Sequence, residues 1–353
     1  MRKINLYPLL ILLAMLLVVL AIFSCSNRKA PAAKREVNLY TSIPSKIIDS
    51  IKLEFEKEKS GIELKVYRDG TVKIMERILA EAETGESGAD VVWLADFSAA
   101  EELKEKGLLQ KYISPEAKNI IPIFLDSEGY YTGSRLLNVV IAYNKQFVKE
   151  KPQSYHELQD LKWAGKVGIA DPEVSGASYY TVSTLLQNKD FGWEYFVRIY
   201  QNKCEIVDDN TLLAEKIASG ELYIGLIIDF TIRELWSGPS SPPVDYTFAE
   251  DGIVAIASPI AIARDCKETE ASRAFIDWVL SGRGQEFLAR NMGIAPVRMD
   301  VQIPEGMIPL QQLKIIPSNA REIYENKQRN IEIFKAIFSG KSIEEIKMRM
   351  PGD

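Results

Sequence analysis

The chain has 353 residues, 46% of them hydrophobic and 26% charged, and a formal net charge of −6. That length supports two lobes with separate cores, and the balance is that of a globular protein, not of a disordered or repetitive one. The acidic total argues against a general nucleic-acid binder.

Arg2 and Lys3 precede an almost unbroken apolar run over residues 9–23, which ends at Ser24-Cys25. The run is shorter than the about 20 residues a membrane-spanning helix needs, so a signal peptide over 1–24 is expected. Cys204 and Cys266 sit in no Cys-x-x-Cys or Cys/His cluster. A zinc site is therefore unsupported, and small buried hydrophobes are the expected role of both.

Along the chain the pattern begins as alternating strand and helix. Strands are expected over 37–40, 62–67 and 90–94. Helices are expected over 45–59, 71–83 and 98–106, the first with Ile47, Ile48, Ile51 and Phe55 on one face. This order means a mostly parallel sheet with helices on both faces. A long β-rich run, 130–144, then carries the chain toward a second region. There strands are expected over 167–170, 204–207, 222–228 and 244–248, and helices over 179–187, 193–202, 210–219 and 230–236. A second β-rich run, 252–263, carries the chain back. Helices follow over 271–280, 285–291, 319–338 and 342–350. Two α/β lobes joined by two β-rich crossings imply a hinge and a cleft that closes around a ligand.

The stretch 166–181, KVGIADPEVSGASYYT, places a polar loop between the C-terminal end of a strand and the start of a helix. Helix N-termini expose unpaired N–H groups, and small anions sit there. Ser175, Ser178 and Thr181 add hydroxyls, and Gly176 lets backbone approach a ligand. A helix capped by Ser178 with nothing bound is the alternative. Thr41 and Ser42 follow the first strand and are either crevice residues or a cap before Pro44. Asp96 follows the third strand and is either a cap or a contact. Arg135 lies in the first crossing, where a guanidinium would clamp an anion bidentately. Tyr179 and Tyr180 either line the pocket or pack in the core. Enzyme chemistry finds little support. The one histidine, His156, has no G-x-S-x-G serine to serve. The 49 carboxylates leave a paired-carboxylate hydrolase open by count alone. No cofactor is implied.

Several segments carry a family resemblance: GADVVWLADFSAAEELKEKGLL (88–109), YYTGSRLLNVVIAYN (130–144), GKVGIADPEVSGASYYT (165–181), ASGELYIGLIIDF (218–230), EDGIVAIASPIAIA (250–263), ASRAFIDWVLSGRGQEFLA (271–289) and GIAPVR (293–298). In this joint order they resemble bacterial extracellular solute-binding proteins of ABC importers. The group is the one containing ferric-iron binding proteins and their relatives for phosphonates and phosphorylated sugars. The resemblance implies a type II periplasmic-binding-protein fold, two α/β lobes joined by a two-stranded hinge. Residues 37–135 and 255–310 would form lobe 1, and 136–254 and 311–353 lobe 2. It also implies delivery of a small solute to a membrane permease. The chain has no Walker motif, so the ATPase would be a separate subunit. Ile22-Phe23-Ser24-Cys25 resembles a bacterial lipoprotein box, with Ile and Phe where Leu and Ala or Ser are commoner. It implies lipidation of Cys25, a tether over 25–36 and a membrane-anchored location in the periplasm or at the cell surface.

The iron-binding relatives hold the metal through adjacent tyrosines just after the strand that matches 222–228. Here Asp229 and Phe230 stand there, with Thr231 next. In the family pattern Asp229 points toward the cleft, where it would meet a ligand amine or hydroxyl; capping the next helix is its other reading. With no tyrosine pair, the expected solute is a small anion, a phosphonate or phosphorylated sugar. Ferric iron, or a sensor role without transport, are the alternatives.

Overall fold

The computed structural model describes residues 34–341 apart from 86, 237–241 and 306, together with 344–345. The signal segment, Cys25, most of the tether and most of the expected last helix lie outside them.

The first lobe starts with β1 (Arg35–Thr41), α1 (Ser45–Glu58), β2 (Ile62–Arg68), α2 (Thr71–Thr84), β3 (Val91–Trp93) and α3 (Phe97–Glu105). The apolar positions of α1 recur at helical spacing, so Ile47, Ile48, Ile51 and Phe55 are all buried. Phe55 meets Phe275 edge-on at 5.0 Å, and Phe275 in turn meets Trp93. A short β4 (Leu109–Gln110) precedes β5 (Tyr131–Asn144), the longest strand, all of whose residues are buried.

The second lobe holds β6 (Val167–Ala170), α4 (Gly176–Gln187), α5 (Gly192–Gln201), β7 (Glu205–Val207), α6 (Asn210–Ser219), β8 (Ile224–Ile228), α7 (Asp229–Trp236) and β9 (Val244–Thr247). The chain returns through β10 (Ala255–Ala263) to α8 (Thr269–Leu280) and α9 (Gly282–Met292). It ends in α10 (Ala320–Glu325) and α11 (Lys327–Phe338).

The strand order is β2-β1-β3-β10-β5-β8-β6-β7. β2, β1 and β3 run parallel, as do β7, β6 and β8. Between these triplets lie the two antiparallel crossings. β10 pairs with β3 on one side and with β5 on the other. β5 pairs with β10 through its first half and with β8 from Val139 onward. The result is two α/β lobes joined by a two-stranded hinge, as the chain order predicted.

The C-terminal helices touch both lobes. Arg321 and Lys327 pair with Glu105 and Glu102 of α3 at 3.2 and 3.0 Å. Phe334 of α11 packs on Phe196 of α5. The run 319–338 reads as one helix in sequence; it is two, broken at Asn326, whose side chain donates to the Glu322 carbonyl. Cys204 and Cys266 are free thiols.

Candidate ligand-binding cleft

Parallel strands end on the same edge of a sheet, and the loops beyond their carboxyl ends form a crevice. Here the loops after β1, β2, β3, β6, β7 and β8 converge on one cavity of about 390 Å³. Five helices begin in its wall. Pro44 leads α1, Gly70-Thr71 α2, Ser175-Gly176 α4, Asp209-Asn210 α6, and Phe230-Thr231 lie in the first turn of α7. The N-termini of α1 and α2 have no side-chain cap. Their orphan N–H groups and dipoles add positive potential to a wall that carries side chains of both signs, Arg68 and Lys73 among them.

Arg135 supplies the formal charge at the hinge. Its side chain is only 2% exposed. Nε donates to Ser258 Oγ at 3.2 Å, the Phe230 ring lies 5.8 Å from the guanidinium carbon, and Nη1 has no hydrogen-bond partner. No carboxylate pairs with it among the described residues. Burial alone pushes its pKa well down from the usual arginine value, to about 9. It is still a cation at neutral pH, buried and paired with no carboxylate among the described residues, which is costly. Ser42 Oγ and Thr231 Oγ1 are likewise buried without a partner, and both residues line the same cavity.

Of the nine cleft residues singled out in the sequence, the fold brings Ser42, Arg135, Ser175 and Gly176 to the cavity wall. The other five have inward partners. Thr41 Oγ1 donates to the Trp93 carbonyl at 2.8 Å and is fully buried. Asp96 caps α3, accepting from Ala99 N and Ser98 Oγ. Its carboxyl pKa is raised by burial. Ser178 Oγ donates back to the Ala170 carbonyl, and the cap of α4 is Ser175, not Ser178. The helix starts three residues before the sequence pattern placed it, which turns Ser178 into its first turn. Tyr179 Oη donates to the Ile323 carbonyl, and its neighbour Tyr180 bonds Ser318. Asp229 does not face the cleft. It accepts from the Asn138 side-chain amide at 3.0 Å and pairs with Arg233, one helical turn on, at 2.7 Å.

Sequence reasoning missed Thr231 as a wall residue, together with Thr71 and Asn210. Each sits in the first turn after a parallel strand, and that position was the available signal. Asn210 stitches the wall together, accepting from Ile228 N and donating to Ser175 Oγ. Among the described residues the wall contains no tyrosine, histidine or cysteine, while Asp69, Glu76, Glu173, Asp208 and Asp209 line it. Asp69 bonds Gly70 N, Glu173 pairs with Lys335, and Asp209 caps α6. Glu76 and Asp208 are exposed.

The sequence profile of the bacterial extracellular solute-binding proteins matches residues 37–291. The chain belongs to that family. Among curated relatives of this solute-binding protein is iron uptake protein A1 of a Synechocystis strain, 25% identical over 301 residues, which are 80% of this chain and 82% of the relative. Among solved structures, the periplasmic binding protein AfuA from Actinobacillus pleuropneumoniae, with fructose-6-phosphate bound, superposes with a TM-score of 0.79 at 21% identity. The match covers 87% of this chain and all of that one. Iron-bound HitA from Pseudomonas aeruginosa superposes with a TM-score of 0.77 at 20% identity, covering 86% of this chain and 99% of its own. At these identities the structural likeness carries the fold alone.

Proposed function

We propose that this solute-binding protein captures a small organic anion, a phosphonate or phosphorylated sugar ahead of ferric iron. It would hand the solute to an ABC permease driven by a separate ATPase. Residues 37–135 with 255–310 would act as one lobe and 136–254 with 311–353 as the other. The observation that carries the ligand class is the buried Arg135 guanidinium with a free Nη1, beside the unpartnered hydroxyls of Ser42 and Thr231. A guanidinium and two hydroxyl donors in a wall where helices begin match an oxyanion. The bound fructose-6-phosphate of AfuA agrees with that reading. Iron-bound HitA and the iron uptake relative support the competing one.

The test is thermal-shift screening against sugar phosphates, phosphonates and ferric citrate, with mass spectrometry of any co-purified ligand. Stabilisation by a phosphorylated compound is expected. It should weaken as pH rises through about 9, where Arg135 loses its proton. A visible tyrosinate–iron band on adding ferric ion, without stabilisation by any phosphorylated compound, would reverse the ranking.

We also place the protein at the outer face of a membrane, held through a lipid on Cys25. The support is the apolar run that ends at Ser24-Cys25. Cys25→Ala is expected to release a soluble exported protein or to leave the precursor uncleaved. Unchanged mature mass and detergent partitioning would show that no lipid is attached there.

A further inference from the structure

Helix α7 belongs to the second lobe, and its first turn lines the cleft with Phe230 and Thr231. Its next turn reaches out of that lobe twice. Arg233 Nε donates to the Gly293 carbonyl at 2.7 Å, and Glu234 pairs with Lys46 Nζ at 3.0 Å. Lys46 lies in the first turn of α1. Gly293 closes α9, and α9 is held on α1 by ion pairs from Arg283 to Glu54 and Glu58. Both contacts therefore join α7 to the first lobe.

The Arg233 tie is built from both sides. On the second-lobe side Asp229 and the Tyr246 hydroxyl hold the guanidinium, each at 2.7 Å. On the first-lobe side Gly293 is the left-handed cap of α9, with a φ of 63°. The C-terminal end of a helix carries partial negative charge and unsatisfied carbonyls, which suit a guanidinium. A Cβ on Gly293 would stand 3.3 Å from Arg233 Nε, so a side chain there would press on α7. The planar fork of arginine serves three partners at once, which a lysine ammonium at this position cannot do. The Lys46–Glu234 pair is exposed at its lysine and weak alone. It adds a second point of attachment, two residues from Pro44 in the cleft wall.

We propose that α7 is a clasp between the lobes, with Arg233 its fixed tie and Lys46–Glu234 its catch, and that it favours the closed cleft independently of the solute. Arg233 does not line the cavity. It is a positioning residue, which sets where Phe230 and Thr231 stand against the first lobe. The clasp rests on the two-lobe reading proposed above and is indifferent to the class of solute.

Zero-length carbodiimide coupling of the full chain, with no solute added, tests it, because the reagent joins an amine to a carboxylate only where the two meet. Peptide mapping should find Lys46 joined to Glu234. Lys216 and Glu205, 2.9 Å apart within the second lobe, are the internal control. Arg233→Lys keeps a cation beside Asp229 and gives up the bond to Gly293. Its Lys46–Glu234 product should fall about tenfold, the effect of losing a bond from a charged donor, while the control product is unchanged. Asp229→Asn with Arg233→Gln removes the tie without leaving a lone buried charge, and should give the same fall. A parent that yields the control product but no Lys46–Glu234 product overturns the proposal, because the lobes then do not meet at α7. An unchanged ratio of the two products in both variants overturns it as well, and makes Arg233 a tie within the second lobe alone. Failure of the phosphorylated-solute reading shows in the thermal-shift screen and leaves these products unchanged.

Discussion

Arg135→Met is expected to make the ligand-free protein more stable and to remove most of its anion affinity. The two effects have one cause. In the parent the guanidinium is buried, bonded once to Ser258, and faces no carboxylate. Methionine keeps a long apolar stem and removes the charge. Replacing buried charge by a packed apolar group is worth up to about 1–4 kcal/mol. The melting temperature without ligand should rise by several degrees at pH 7. The sign with pH follows from the depressed pKa. A folded-state pKa near 9, below that of the unfolded chain, means the proton on Arg135 opposes folding at neutral pH. That penalty fades as pH rises through 9, so the gap between variant and parent should narrow at pH 10. Affinity should fall about ten- to a hundred-fold, the range for losing a charge-assisted bond. Calorimetric titration and thermal unfolding at both pH values decide it. A variant less stable than the parent at pH 7 would mean that the guanidinium is compensated by a group other than a ligand.

Gly176→Val is expected to hold the lobes apart. Gly176 is the first residue of α4 in the second lobe. A Cβ built on it would stand inside van der Waals contact of Asp96 Oδ2 and 2.9 Å from Thr71 Oγ1, both in the first lobe. Nearby, a Cβ on Gly70 would be 3.5 Å from the Val174 carbonyl. The two lobes therefore meet across a glycine, and the branched side chain has nowhere to go while they touch. Overpacking of this kind costs about 1–3 kcal/mol, which is about five- to 150-fold in affinity. Since the clash exists only when the lobes meet, thermal stability without ligand should hardly change. Small-angle scattering at saturating ligand should show compaction in the parent and little in the variant. Gly176→Ala should give a smaller loss, partly restored by Thr71→Ala in a double-mutant cycle. Full compaction in the valine variant would show that closure does not use this contact.

How far the sequence went is clearest at β6 and α6, whose bounds match the apolar run 167–170 and the amphipathic run 210–219. The crossings were legible because β5 and β10 are too long and too apolar for edge strands. Arg135 was legible by position, since a lone cation in such a run has few roles. Its burial was not, because burial of a long side chain is set by contacts distant in sequence; Asp229, for its part, pairs with Arg233. The same choice of partner removed Asp229 from the cleft. Ser175 and Ser178 are both good caps by residue type, and only where the first backbone turn closes decides between them. The break at Asn326 left no mark on the hydrophobic pattern, because Ile323 and Ile333 stay buried on either side of it.

The hinge also bears on the order in which the protein is made. β3 is complete at Trp93, but its neighbour in the sheet is β10, whose Ile260 pairs with that residue. Until β10 emerges from the ribosome, the first lobe has an open strand edge and lacks α8, whose Phe275 packs against Trp93. Pairings so distant in sequence form slowly, and an unpaired edge can join the wrong strand. The nascent first lobe thus has no native closure of its own, and strands β6 to β9 with helices α4 to α7 are all synthesised before its sheet can be completed.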